Sequence, residues 1–122
     1  MSESIKTIIQ WHEQTFPDAT LEGQIEKFDD EVKEFYEAEL LSDEAATELA
    51  DCFVVGCGMA RFSFLSAMNA FSFVLGYLVG EDEFAKKFLS VLETKMATNR
   101  KRKWNKIGNK FQHISEGEEN VE

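Results

Sequence analysis

Two pairs of acidic residues share one spacing: Glu31 with Glu34, and Glu48 with Asp51, the members of each pair lying three residues apart. Residues three apart on a helix occupy neighbouring positions of one face. The apolar periodicity predicts that the pairs lie on consecutive antiparallel helices, so the four carboxylates can converge. Like charges in a partly buried place repel one another and favour a bound cation. Oxygen ligands without His or Cys suit Mg²⁺ or Mn²⁺, which predicts a metal site here.

A face of solvated acids is the alternative interpretation. The two helices are rich in acids, so a pair with this spacing is expected by chance. A solvated face would explain the first pair alone, whereas the second pair shares its face with Cys52, Val55 and Met59. A di-iron carboxylate bundle is disfavoured because it uses Glu-x-x-His pairs on two helices, and the chain has only His12 and His113.

A basic segment lies near the end of the chain. The net charge is −10, yet residues 95–110 include seven bases and no acid. In a predicted last helix, three residues at i, i+4 and i+7 share one face and can present two cations and an amide to phosphate oxygens. Complementation of the helix dipole and nucleic-acid binding are alternative roles, but the dipole accounts for two or three cations rather than seven. The predicted phosphate-binding residues are Lys95, Asn99 and Arg102, with Arg100 and Lys103 in the adjacent row.

The apolar pattern predicts an all-α fold, an antiparallel bundle of four to five helices. Apolar residues recur three or four apart, and no alternating pattern of a strand persists. Serine side chains are good helix N-caps, and an acidic first turn favours a helix start. The predicted boundaries are a first helix from Ser2 or Ser4 to Phe16, a second over residues 19–41, a third capped by Ser42, and a last from Glu81 to about Trp104.

One domain is expected over residues 1–112, followed by an acidic tail at 113–122 that is predicted to be disordered. Residues 62–80 carry no charge over 19 positions, close to the length of a membrane helix. Their Ser, Asn and Gly content favours a buried or subunit-contacting helix instead. The two cysteines are predicted to be free thiols of a reducing compartment. No secretory signal pattern opens the chain, so a cytoplasmic location is expected.

The acidic and basic segments together resemble a known family. DEVKE at residues 30–34, followed after thirteen residues by ELAD at 48–51, is similar to the E-E-x-x-E, spacer, E-x-x-D signature of the MazG-like all-α nucleoside triphosphate pyrophosphohydrolases. KMATNRKRKW at 95–104 resembles the K-x-x-x-N-R-x-R segment of the dCTP and dATP/dGTP pyrophosphohydrolase branches. IIQWHEQTFPDATLEGQIEKF at 8–28 resembles the start of those branches. These matches span most of the chain.

The resemblance implies a helical bundle that assembles as a homodimer or homotetramer. It implies hydrolysis of a nucleoside triphosphate, expected to be a dNTP, between the α and β phosphates to give a monophosphate and pyrophosphate. Mg²⁺ would be the cofactor, with Mn²⁺ as a substitute, held by Glu31, Glu34, Glu48 and Asp51. We expect Glu34 or Glu48 to act as the catalytic carboxylate that orients or deprotonates the attacking water. Neither a membrane nor a nucleic acid is an expected partner.

The candidate contacts to the base are aromatic. Trp11, Phe16 and Trp104 are candidate stacking partners, although aromatic residues of helical bundles are more often core. Trp11 and His12 are the predicted base-binding residues. The rival to the enzyme is a non-catalytic helical interaction protein, whose basic last helix binds nucleic acid or an acidic partner. The enzyme predicts Mg²⁺-dependent release of pyrophosphate, and the rival predicts salt-sensitive binding without turnover.

Overall fold

The described part of the chain folds into five helices followed by two antiparallel strands, called the hairpin below. The computed structural model of the chain describes residues 2–107 and 110–114. The predicted all-α class is confirmed in its main part, since the helices form most of the described chain and the sheet is small. The elements are α1 (Ile5–Thr15), α2 (Leu21–Glu37), α3 (Asp43–Met59), α4 (Phe64–Leu78), α5 (Asp82–Lys101), β1 (Lys103–Ile107) and β2 (Lys110–Ile114).

Hydroxyl side chains define four of the helix starts. Ser4, Thr20, Ser42 and Ser63 each accept a hydrogen bond from a backbone N–H in the first turn of the helix that follows. Such caps satisfy donors that have no partner within the helix. The caps at Ser4 and Ser42 were predicted. The second helix is shorter than the predicted 19–41, since it begins after Thr20 and ends at Glu37.

The third helix is the centre of the fold. It packs against α1, α2, α4 and α5, and α2 is its most extensive neighbour, as the predicted antiparallel hairpin requires. Small residues on its surface are packed closely: Ala46 and Ala50 are fully buried, and a Cβ at Gly56 would lie 3.1 Å from the Cβ of Ala70 in α4. Cys52 and Cys57 are buried in α3 as free thiols, as predicted. Burial raises the pKa of both thiols, which keeps them protonated.

The uncharged stretch 62–80 forms a separate helix, α4, capped by Ser63. One side of it is buried, with Ala67, Ala70 and Val74 as its buried residues. Its other side exposes large apolar side chains. Within the described chain, no helix combines the length and the hydrophobicity that crossing a bilayer requires. The exposed apolar side chains of α4 and its two flanking loops are Phe62, Phe64, Leu65, Met68, Leu75 and Val79.

The end of the chain departs from the prediction that no strand is present. The last helix ends at Lys101 rather than near Trp104, and β1 pairs antiparallel with β2, with Trp104 opposite His113. The Gly-Asn pair at 108–109 is a hairpin signal in the sequence that the helical interpretation passed over. The second strand reaches Ile114, two residues beyond the predicted domain boundary at 112. The remainder of the predicted tail, residues 115–122, lies outside the described residues.

Candidate functional site

A cavity of about 420 Å³ opens between the helices and the hairpin. Helices α1, α2, α3 and α5 and both strands contribute to its wall. Its size lies within the range of small-molecule sites. The carboxylates with Lys27 and Lys95 form one end of the lining, and the aromatic rings form the other, where Trp104 Nε1 donates to the Asn99 carbonyl oxygen at 3.4 Å. The lining residues used below are Trp11, His12, Phe16, Gln24, Lys27, Glu31, Glu34, Asp51, Lys95, Asn99, Arg102, Trp104, Phe111 and His113.

Three of the four predicted metal ligands meet at one point. Carboxylate oxygens of Glu31, Glu34 and Glu48 all lie within 4.8 Å of one another. The side chains differ in exposure: Glu31 is buried at 5% exposure, Glu48 is half-buried and Glu34 is exposed. The Oε2 atom of Glu48 is buried and has no hydrogen-bond partner among the described residues. An acceptor of this kind is costly unless another group binds it.

The fourth predicted ligand, Asp51, lies beside this group and is held by a cation. Asp51 Oδ1 is 3.1 Å from Lys95 Nζ, and both side chains are about three-quarters buried. On α2, Lys27 Nζ lies 3.2 Å from Glu31 Oε1, one helical turn away. Two lysines therefore offset part of the negative charge of the cluster.

The carboxylates hold their protons more tightly than free side chains do. Burial raises the pKa of Glu31 to about 7, and the neighbouring Asp51 adds to the shift. Burial raises the pKa of Glu48 to about 8, and the neighbouring carboxylate of Glu34 adds to the shift. Burial also raises the pKa of Asp51, although Lys95 counteracts it. Each shift has the same cause: too little positive charge and too little water surround these acids.

The residues fit a divalent cation. The donor set is entirely carboxylate oxygen, which Mg²⁺ and Mn²⁺ prefer, and it includes an acceptor without a partner. A cation bound there would compensate the negative charge of the deprotonated carboxylates. Without such a cation that charge is unfavourable, which is why the pKa values of these acids are raised. Glu31, Glu34 and Glu48 are the residues that could hold it directly, with Asp51 at their side.

Three of the five predicted phosphate-binding residues line the cavity. Lys95, Asn99 and Arg102 do so, with Asn99 buried and Arg102 immediately after the helix end. The other two lie elsewhere. Arg100 donates two hydrogen bonds to the carboxylate of Glu3, at 3.0 and 2.8 Å. Lys103 is exposed at the start of β1 and borders a second, smaller cavity.

The aromatic end of the cavity is built jointly by the first helix and the hairpin. The ring of Phe16 lies 4.4 Å from that of Phe111, 5.1 Å from that of Trp104 and 5.4 Å from that of Trp11, measured between centroids. Trp104 also meets His113 edge-on at 6.1 Å. Trp11 is buried, as a core residue would be, but it also lines the cavity, as predicted for a base contact.

The other predicted base contact, His12, belongs to a chain of polar side chains. Its Nε2 lies 3.1 Å from Gln24 Oε1, and its Nδ1 lies 2.9 Å from a guanidinium nitrogen of Arg61. The same guanidinium nitrogen donates to the carbonyl oxygen of Phe16 at 2.9 Å. Burial lowers the pKa of His12 to about 4, and the charge of Arg61 adds to the shift. The imidazole is therefore neutral at neutral pH.

Several residues that line the cavity, or that contact its wall, were not foreseen from the sequence. Gln24 and Lys27 could have been found, because they continue the helical stripe of Glu31 and Glu34 at i−7 and i−4. Arg61 contacts residues 45 and 49 positions away, which no local pattern reveals. Phe111 and His113 reach the cavity only because the chain turns back as a hairpin.

Comparisons of this chain with protein-family models, with curated proteins and with solved structures gave no match. The family resemblance of the acidic and basic segments stays a prediction from the sequence.

Proposed function

We propose that this protein is a Mg²⁺-dependent nucleoside triphosphate pyrophosphohydrolase, which cleaves a (d)NTP between the α and β phosphates. The observation that carries the proposal is a single cavity with two chemically different ends. Glu31, Glu34 and Asp51 lie at one end, and the rings of Trp11, Phe16, Trp104 and Phe111 lie at the other. A nucleotide has the same division into a charged phosphate chain and an apolar, stackable base.

The spacing of the two ends suits a nucleotide. Gln24, Lys27, Glu31 and Glu34 follow one stripe of α2, and Gln24 lies seven residues before Glu31. Seven residues correspond to a helical rise of about 10 Å, comparable to the length of a nucleoside. A base among the aromatic rings would thus leave its α phosphate near the carboxylates.

The resident metal ion would be held by Glu31, Glu34 and Glu48. When bound there, Mg²⁺ would supply positive charge that attracts phosphate oxygens and would lower the pKa of a water molecule. Deprotonated carboxylates are required for that role, and the raised pKa of Glu48 fits an acid that gives up its proton when a cation arrives.

The protein side chains have separate tasks in this proposal. Glu34 is the exposed member of the acidic group, so it is best placed to accept a hydrogen bond from the attacking water. Lys95 and Arg102 would bind the oxygens of the departing pyrophosphate, and Asn99 would donate from its amide. The aromatic rings would exclude water from the base and orient the nucleoside.

The alternative of a non-catalytic interaction protein depends on a free basic surface. Two of the basic residues are instead paired with acids, Lys95 with Asp51 and Arg100 with Glu3. Pairing of this kind reduces the charge available to a polynucleotide. These two ion pairs take two of the seven bases at residues 95–110 from the rival's basic surface, and salt-sensitive binding of a polynucleotide without turnover remains the result that would support it.

We also propose that the active form is a homodimer joined through α4. The net charge of −10 makes two copies repel over most of their surface, whereas residues 62–80 carry no charge. Phe64, Leu65 and Val79 are each more than 70% exposed on this helix or at its end. A helix that exposes several large apolar side chains in this way is typical of an interface.

The test of the function is release of pyrophosphate from a panel of dNTPs and NTPs, with Mg²⁺ and with EDTA. We expect turnover of at least one substrate with Mg²⁺, none with EDTA, and a loss of about 100-fold or more in Glu48→Gln. Glu44→Gln is the matched control, because Glu44 lies exposed in the first turn of the same helix. Absence of turnover with every triphosphate would refute the proposal.

A further inference from the structure

The donor and acceptor roles within the chain Arg61, His12, Gln24 follow from elementary chemistry. A guanidinium can only donate, so His12 Nδ1, 2.9 Å from Arg61, must be an acceptor. The imidazole is neutral, so its proton is on Nε2, which then donates to Gln24 at 3.1 Å. The atom of Gln24 that receives this bond must be the carboxamide oxygen. The chain of bonds therefore fixes which way the carboxamide of Gln24 faces.

A missing side chain makes room for this contact. A Cβ atom at position 58 would lie 2.5 Å from His12 Nε2 and 2.7 Å from Gln24 Oε1. Gly58 therefore lets α3 pass directly against the hydrogen bond. Any other residue would push the two side chains apart. The contact is thus specified by three elements of the fold: α1, α2 and α3.

The consequence concerns the cavity. Gln24 is 4% exposed and lines the cavity, and its hydrogen bond within the described chain uses the carboxamide oxygen. Its NH₂ group remains to meet a ligand. A glutamine that can rotate accepts or donates as required, but this one is held as a donor.

The part of a nucleotide that would meet Gln24 follows from the orientation of the site. With phosphates at the carboxylate end, the base points its edge opposite the sugar toward the other end, where Gln24 lies. That edge carries the substituent at position 4 of a pyrimidine or position 6 of a purine. The substituent is an oxo group, which accepts, or an amino group, which donates.

We infer that Gln24 is the specificity-determining residue for the base and selects a nucleotide with an oxo group at this position over its amino counterpart. The inference rests on the nucleotide-binding part of the proposed function. Arg61 is a positioning residue, because it acts on the ligand only through His12 and Gln24. An amino group facing a fixed donor leaves two donors without an acceptor, so we expect discrimination of about tenfold or more.

Equilibrium binding of nucleoside monophosphates tests the inference without requiring turnover. The two tryptophans of the chain, Trp11 and Trp104, both line the cavity, so intrinsic fluorescence reports binding directly. The probes are two pairs that differ at the relevant position, dUMP with dCMP and dIMP with dAMP, each titrated with Mg²⁺ present. We expect the oxo member of each pair to bind about tenfold or more tightly.

Variants separate the inference from simple loss of affinity. Glu in place of Gln24 presents an acceptor to the cavity, so Gln24→Glu should invert both preferences. Arg61→Met releases the imidazole to either tautomer and should bring both ratios close to one. Gly58→Ala should do the same by separating His12 from Gln24, whereas Gly76→Ala, where a Cβ meets nothing within 4 Å, should change neither ratio.

Each result of these experiments either supports or overturns the inference. Equal or reversed binding in the unmodified protein overturns the inference, as do ratios that persist in both Arg61→Met and Gly58→Ala. Absence of any binding also overturns it. Oxo-selective binding without release of pyrophosphate from any triphosphate would instead leave the inference standing and refute the proposed hydrolase activity. Turnover with no preference between dUTP and dCTP would support the hydrolase activity and overturn the inference about Gln24.

Discussion

Lys95 Nζ lies 3.1 Å from Asp51 Oδ1, and this ion pair joins the last helix to the third at the acidic end of the cavity. The pair gives Lys95 two tasks. Without substrate it offsets the charge of a partly buried acid, and with substrate it would bind phosphate oxygens. The pairing also explains why Asp51 lies beside the group formed by Glu31, Glu34 and Glu48 rather than within it.

Replacement of this lysine should affect metal and substrate in opposite directions. Lys95→Met removes a cation that competes with Mg²⁺ for the carboxylates, so metal affinity should rise while kcat/KM falls about tenfold to hundredfold. Calorimetric titration with Mg²⁺ and steady-state kinetics measure the two effects. The matched control is Lys87→Met. Lys87 Nζ lies 2.7 Å from Asp43 Oδ1, so this ion pair joins the same two helices, but its side chains are more exposed than those of Lys95 and Asp51. Weaker metal binding in Lys95→Met would contradict this account.

Stability of the metal-free protein should fall as the pH rises. The pKa of Glu31 is raised to about 7 and that of Glu48 to about 8, from an ordinary 4.5. Above 4.5 the unfolded chain has released these protons while the folded chain still holds them. These two acids therefore lower the free energy of unfolding as the pH rises to about 8. His12, whose pKa is lowered to about 4 from 6.5, acts in the opposite direction below pH 6.5, so the decrease should be steepest above that pH. Thermal melts in EDTA between about pH 5 and pH 9 measure the decrease.

Two comparisons isolate the carboxylates in that experiment. Glu48→Gln removes one of the acids with a raised pKa, so its melting temperature should vary less with pH than that of the unmodified protein. Mg²⁺ should raise the melting temperature most at the alkaline end, where the ligands are deprotonated. A pH dependence that is identical in both proteins would show that these acids do not titrate as described.

The hairpin should contribute to nucleotide affinity. Phe111 reaches the cavity from β2, and its ring lies 4.4 Å from that of Phe16. Phe111→Ala should raise KM for the best substrate about tenfold with little change in kcat, since one stacked base contributes ~1–3 kcal/mol. Leu89→Ala is a suitable control because Leu89 is 60% exposed on α5 and does not line the cavity. An unchanged KM in Phe111→Ala would remove the hairpin from the binding site.

The chain should be a dimer that depends on α4. Light scattering should give twice the 14.0 kDa of one chain at micromolar concentration. Leu65→Glu places a charge on the uncharged face and should yield monomers, whereas Leu89→Glu on α5 should leave the mass unchanged. A monomeric mass for the unmodified protein would exclude this interface.

Local patterns were sufficient for most of the helices. The serine caps at Ser4 and Ser42 and the acidic turn before Phe84 each depend on residues within one helical turn, so their signals are complete in the sequence. The convergence of Glu31, Glu34 and Glu48 could also be predicted, because i, i+3 spacing on two antiparallel helices determines which faces meet.

Contacts between distant parts of the chain could not be predicted from such local patterns. The hairpin has strands of only five residues, and its basic residues continue the composition of α5. The sequence therefore predicted a helix as far as Trp104. Packing of Trp104 and Phe111 against Phe16 favours strands at the end of the chain. This favourable packing depends on a residue about ninety positions away in the sequence. The link from Arg61 through His12 to Gln24 is a tertiary contact of the same kind.

The most direct test of the central claim is hydrolysis of a dNTP in water enriched in ¹⁸O, with mass spectrometry of the products. We expect a labelled monophosphate and unlabelled pyrophosphate with Mg²⁺, and no products with EDTA. Label in the pyrophosphate, release of orthophosphate, or no hydrolysis of any dNTP by folded protein with Mg²⁺ would contradict that claim.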